Sequence, residues 1–139
     1  MAAKRPIKRL TETGPDKAKV LTPRELKKLL FVSSLTRNPE RNALIIWLLF
    51  GAGFRVTEIA CITVQDVLLK SGKLKTSVLI PARYTKNGEA GHVFLHNKKL
   101  QEALNVYLNM RISKRKRVSV DSTNFRTLQP HSPLILSEN

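Results

Sequence analysis

The sequence predicts a mixed α/β fold, predominantly helical, with a small three-stranded antiparallel sheet at one edge. Three observations predict it. Apolar residues recur at helical spacing behind helix starts at Thr22, Asn38 and Asn97. The run Leu44-Ile45-Ile46-Trp47-Leu48-Leu49-Phe50 is apolar without interruption, which marks a helix buried on all sides and hence the core. Between the second and the last helical stretch, short apolar runs are separated by Ser71-Gly72 and Asn87-Gly88, and Asn-Gly is a strong hairpin signal.

Residues 1–19 hold six Lys or Arg, two prolines and one glycine, with little apolar content. That is the composition of a flexible basic arm or of a solvated tail. The domain itself, residues 20–139, is expected to become ordered at Leu21. Thr22-Pro23-Arg24-Glu25 has the form of a capping box, and Leu26, Leu29 and Leu30 follow as a stripe. A second helix starts at Asn38-Pro39-Glu40 and ends at Gly51 and Gly53, and a short helix follows over about residues 55–61. The expected strands are Val67-Leu68-Leu69, Ser77-Val78-Leu79-Ile80 and His92-Val93-Phe94-Leu95. Leu100, Leu104, Tyr107 and Leu108 define a last long helix, which runs into the basic cluster Arg111-Ile112-Ser113-Lys114-Arg115-Lys116-Arg117. Residues 118–130 read as loop, and Pro133-Leu134-Ile135-Leu136 as one more strand.

The bulk properties narrow the function. At 139 residues the length fits one domain. Twenty-five Lys and Arg against ten Asp and Glu give a formal charge of +15, an excess that a polyanion relieves. Nucleic acid is the leading partner. A bilayer is disfavoured, because the longest apolar run, residues 43–50, is far short of the ~20 residues that span one. The basic start has no apolar stretch behind it, so it is not a secretory signal. With Cys61 the only cysteine and no His/Cys cluster at ligand spacing, neither an intrachain disulfide nor a structural metal is expected. The expected location is the cytoplasm.

Two features have chemistry to offer. In Gly51-Ala52-Gly53-Phe54-Arg55-Val56-Thr57-Glu58-Ile59, glycines close a buried helix and an arginine opens the next. A helix start favours phosphate, and a guanidinium there adds a fork that takes two phosphate oxygens. Glu58 lies one turn on, where it can hold that guanidinium. The same spacing also suits an ordinary surface Arg–Glu pair. Lys86, beside the Asn-Gly turn, can donate a proton if neighbouring positive charge lowers its pKa, or it can be a plain solvated lysine.

The order of these features resembles the tyrosine recombinase (phage integrase) catalytic domain. Val20-Leu21-Thr22-Pro23-Arg24-Glu25-Leu26 looks like the opening helix of that domain. Gly53-Phe54-Arg55-Val56-Thr57-Glu58-Ile59, then Ile62-Thr63-Val64-Gln65-Asp66-Val67, resembles the box around its first catalytic arginine. Tyr84-Thr85-Lys86-Asn87-Gly88 followed by Val93-Phe94-Leu95 resembles its lysine hairpin, and Pro133-Leu134-Ile135-Leu136 the strand before its second catalytic block. The resemblance implies DNA integration and recombination, in which a tyrosine attacks a phosphodiester to form a 3′-phosphotyrosyl link and release a 5′-hydroxyl. It implies no metal or nucleotide cofactor and double-stranded DNA as partner. It also implies a bacterial or phage source and association with the nucleoid. Arg55 would be the first phosphate-clamping arginine, Glu58 its support and Lys86 the general acid. DNA contacts are expected from Lys4, Arg5, Lys8 and Arg9 in the arm, and from Arg83 and His92 near the hairpin.

The sequence departs from the family at its later blocks. His92, His96 and His131 are followed three places on by Leu95, Lys99 and Leu134, so no His-x-x-Arg is present. Tyr84 lies in the hairpin region and Tyr107 on an apolar stripe, leaving no visible nucleophile. The expectation is therefore a truncated, N-terminal half of the domain. It would bind DNA without cleaving it alone, and would associate with the missing C-terminal half or with other recombinase protomers. The alternative is a non-enzymatic DNA-binding or regulatory module derived from an integrase. Truncation would leave part of the helix at residues 43–50 uncovered, with marginal stability or association as the consequence.

Overall fold

The computed structural model describes residues 21–84 and 88–137. The capping box forms as the sequence predicts. Thr22 Oγ1 accepts from the Glu25 N–H at 3.1 Å, and Glu25 Oε1 accepts from the Thr22 N–H at 3.0 Å. Two donors of the first turn are thus satisfied reciprocally, and α1 (Pro23–Ser33) follows. Pro39 stands at the first position of α2 (Pro39–Gly51), behind Asn38 as N-cap.

The centre of the fold is α2 packed along α5 (Lys98–Ser113). Gly51, at the end of α2, lies against the Asn97 side chain at the start of α5. Arg41, near the start of α2, shares a small concavity with Tyr107 and Met110 near the end of α5. The two helices therefore run antiparallel. Leu44 and Leu48 interlock with Leu100, Leu104, Tyr107 and Leu108, the stripe read from the sequence, and all six are essentially inaccessible. Asn97 Oδ1 caps α5 by accepting from the Leu100 N–H at 3.1 Å.

Between these helices come α3 (Val56–Cys61), α4 (Val64–Val67) and the hairpin of β1 (Ser77–Ile80) and β2 (Gly91–Phe94). The strands pair antiparallel with Val78 opposite Val93 and Leu79 opposite His92. Val78 and Ile80 turn inward to the core, whereas Leu79, His92 and Phe94 are exposed on the outer face. Gly88, in the connection between the strands, has φ +75°, a left-handed conformation that glycine adopts without strain.

Several expectations need correction. The sheet has two strands, not three. Val67 closes α4, because the Asp66 carboxylate accepts from the Thr63 N–H at 2.8 Å and starts a helical turn there. Leu68 then makes only an isolated bridge to Leu74. A short apolar run that is buried throughout has the same sequence appearance in a helical turn and a strand. Residues 133–136 likewise form no strand. Pro133 makes one bridge to Thr63, and the Leu134 N–H donates to the Ile62 carbonyl at 3.0 Å. Nor is α2 buried all round: Ile45, Trp47 and Leu49 are half-buried and Phe50 is exposed. Phe31, Val32 and Leu35, at and just beyond the end of α1, are exposed as well.

Candidate nucleic-acid interface

The site is built by the way α2 ends. The Phe54 N–H donates back to the Leu48 carbonyl at 3.0 Å, and the Phe54 side chain is buried. To turn that tightly the chain places Gly53 at φ +84°, a conformation that strains any residue with a Cβ. The reversal delivers Arg55, half-buried, as the N-cap residue of α3, in extended conformation. Its carbonyl accepts from the Ile59 N–H and its own N–H donates to Glu58 Oε1, both at 2.9 Å.

Glu58 therefore does something other than the sequence suggested. Its side chain is only 7% exposed, and its carboxylate takes the Arg55 backbone N–H instead of bracing the guanidinium. A carboxylate three residues into a helix reaches back naturally to the N-cap donor, and its charge offsets the positive end of the helix. The start of α3 is thus already occupied by an anion from within the chain. Affinity for a further anion rests on the Arg55 guanidinium, which among the described residues has no carboxylate partner.

The other candidates are placed as follows. Arg83 is exposed in the 3₁₀ turn Ala82–Tyr84, with its guanidinium carbon 4.7 Å from the centre of the Tyr84 ring. That stacking holds the charge in one orientation at the surface without neutralising it. His92 is exposed on the outer face of β2, its Nδ1 3.5 Å from Ser77 Oγ. Lys86 lies outside the described residues, as do Lys4, Arg5, Lys8 and Arg9.

The tyrosines take roles that suit packing. Tyr107 is 1% exposed and its hydroxyl accepts from the Leu136 N–H at 3.0 Å. Burial raises its pKa above the ordinary phenol value, against the lowering effects of that hydrogen bond and of nearby Arg111 and Arg41. Tyr84 is half-buried beneath Arg83.

Arg111, the first residue of the basic cluster read from the sequence, is fully buried. Its Nη1 donates to the carbonyls of Pro133 at 3.0 Å and Leu134 at 3.3 Å, and its Nη2 to Ser132 Oγ at 3.0 Å. The guanidinium ties residues 132–134 to α5, and burial lowers its pKa. A signal was available. Position 111 falls three residues after Leu108 and four after Tyr107, on the same buried stripe.

Among the described residues no group of three or more His, Cys, Asp or Glu is arranged to hold a metal ion, and no helix is long and apolar enough to cross a membrane. No curated protein and no solved structure matches the chain. The model of the Phage integrase family does match, over residues 19–131, a span that takes in the capped opening helix, the Arg55 turn, the hairpin and α5. With most of its length accounted for in this way, the chain belongs to the phage integrase family of tyrosine recombinases.

Proposed function

We propose that the chain is a DNA-binding part of a site-specific recombinase, and that it grips the duplex backbone without being able to cleave it alone. The observation that carries this reading is Arg55. The chain turns through Gly53 in the left-handed region, buries Phe54 and spends Glu58 on the backbone to hold one half-buried arginine at a fixed position. Among the described residues that arginine has no carboxylate partner. A preorganised guanidinium is suited to a phosphodiester, both for binding and for charge that develops in strand transfer. Lys86 is assigned the role of proton donor, and Arg83, His92 and the basic residues Lys4, Arg5, Lys8 and Arg9 that of backbone contacts. Residues 1–19 act as a basic arm and residues 20–139 as the partial catalytic domain.

The placement of Tyr107 supports the reading that the chain does not cleave alone. A nucleophile needs an accessible hydroxyl, and that of Tyr107 is sequestered in the core. The same observation favours the second reading, a non-enzymatic regulatory module that occupies recombination sites. Association with a recombinase partner would cover the exposed Phe31, Val32 and Leu35.

The test has two arms. Binding to duplex DNA is expected to weaken steeply with salt, and Arg55→Ala is expected to flatten the log–log salt slope by about 0.9, the loss of one phosphate contact. No measurable binding at low salt defeats the proposal. On a nicked suicide substrate the chain alone is expected to form no covalent adduct, and a phosphotyrosyl product overturns the assignment of incompetence.

A further inference from the structure

The basic residues that follow α5 are not used by the site at Arg55, and their backbone is unusual. The Lys116 N–H donates to the Arg111 carbonyl at 2.8 Å and the Arg115 N–H to the Ile112 carbonyl at 3.1 Å. This is the pair of bonds that closes a helix in a Schellman turn, with Arg115 at the position normally given to glycine. Arg115 accordingly has φ 55°, and Arg117 repeats the left-handed conformation at φ 57°. Each such residue costs roughly 1–2 kcal/mol where glycine costs little. Attraction between basic side chains and a helix C-terminus explains lysines and arginines near this end. It does not explain why arginines, and not glycine, stand at these two left-handed positions, a conformation that Phe125, Arg126 and Thr127 adopt elsewhere.

The side chains are also free of structural duties. The turn is held through its backbone, with the Lys116 carbonyl accepting from Arg111 Nε at 3.4 Å and the Arg117 carbonyl from the Gln129 N–H at 2.9 Å. Lys114, Arg115 and Arg117 are exposed and Lys116 is half-buried. Among the described residues no carboxylate pairs with any of them. Because α2 and α5 run antiparallel, this turn lies at the opposite end of the helix pair from Arg55. The 13 residues of α2 set the separation at about 20 Å.

Resting on the DNA-binding reading above, we propose that residues 114–117 form a second phosphate-binding surface for the backbone of duplex DNA, separate from the Arg55 site. Four consecutive cations on a fixed turn match a row of phosphates. No exposed aromatic side chain stands among them to stack unpaired bases, as a single-strand reader requires. Among the described residues close by in sequence, Val120 alone is a strongly exposed apolar side chain, too little to anchor the turn in a lipid surface.

The experiment exploits the strain. In the full chain, Arg115→Gly with Arg117→Gly removes two charges and relieves two left-handed side chains, so the melting temperature is expected to hold or rise. The log–log salt slope of duplex binding is expected to fall by about 1.8, at roughly 0.9 per lost phosphate contact. Arg115→Asn with Arg117→Asn, which tolerates the same backbone, is expected to give the same slope. An unchanged slope in both variants, with Arg55→Ala still lowering it, overturns this proposal and spares the reading it rests on. So does a loss of binding on phosphatidylserine vesicles with none on the duplex. A wild-type chain that binds no duplex at all defeats both.

Discussion

Replacing Arg111 by Met tests whether a buried cation with no carboxylate partner among the described residues stabilises this fold. Methionine keeps much of the length and flexibility of the side chain, so the change removes the guanidinium with little loss of volume. Four acceptors lose their donor: the carbonyls of Lys116, Pro133 and Leu134 and the Ser132 hydroxyl oxygen. Pro133 is exposed and Lys116 only half-buried, so their carbonyls can recover a hydrogen bond from water. Leu134 and Ser132 are buried and cannot do so easily. A buried acceptor left unmade costs about 1–3 kcal/mol, so two cost about 2–6 kcal/mol. Against this stands the desolvation of the guanidinium, which the variant no longer bears and which returns part of that loss. The expected net effect is a destabilisation of about 2–4 kcal/mol, a large share of the ~5–15 kcal/mol that holds a typical domain together. Urea unfolding gives the measurement, with an unchanged m-value showing that the native and unfolded states remain comparable. Arg111→Lys should fall between the two, since an ammonium keeps the charge but cannot reproduce the fork. Stability equal to or above wild type in the methionine variant would refute the reasoning, because desolvation would then outweigh all four hydrogen bonds.

Three further outcomes follow from the same geometry. Glu58→Ala should destabilise by about 1 kcal/mol through the lost cap on Arg55, while Glu58→Gln, which keeps an acceptor oxygen, should cost less; equal losses in both would instead indicate that the charge itself matters. Because burial raises the Tyr107 pKa above 10.0, its contribution to stability is complete below that value and is lost as pH rises from there through the folded pKa. Tyr107→Phe should flatten this alkaline decline in a pH series of urea midpoints, while losing about 0.5–1.5 kcal/mol at neutral pH with the Leu136 hydrogen bond. Gly53→Ala meets no atom within 4 Å, so its cost is conformational, about 1–2 kcal/mol, and thermal melting should show it together with weaker duplex binding as Arg55 shifts.

Much of the fold was legible because local signals and tertiary packing agree. The capping box at Thr22, the proline start of α2, the hairpin around Gly88 and the buried stripe of α5 are each written in a few consecutive residues. The sequence misled where one pattern serves two structures. Val67 and Leu68 are apolar and buried whether the backbone is helical or extended, and only the Thr63–Asp66 cap decided the outcome. At the site, the position of Arg55 could be read from the glycines before it. The role of Glu58 could not, because spacing places a carboxylate near both the guanidinium and the backbone N–H without choosing between them. A pattern of charges also cannot show which cation is turned inward, and so Arg111 was grouped with neighbours whose surroundings are entirely different.

That distinction changes what the charge of +15 means for a nucleic-acid partner. Arg111 is spent on carbonyls in the core. Arg126 is held by the Gly72 carbonyl at 2.7 Å and Asn105 Oδ1 at 2.9 Å, with burial lowering its pKa. Arg41 is turned toward Asn42 and the Leu136 carbonyl. These three add to the long-range field that draws a polyanion in, but donors already bonded within the fold are less available to a phosphate. Displacement of counterions depends on direct phosphate contacts, so the salt slope should follow the accessible cations and not the formal charge. Neutralising Arg126 or Arg41 should therefore move stability more than it moves the slope, whereas at Arg55 and residues 114–117 the order should reverse. A slope that tracked net charge regardless of position would mean that the chain meets DNA as a diffuse cation, with no defined surface at either end of the α2–α5 pair.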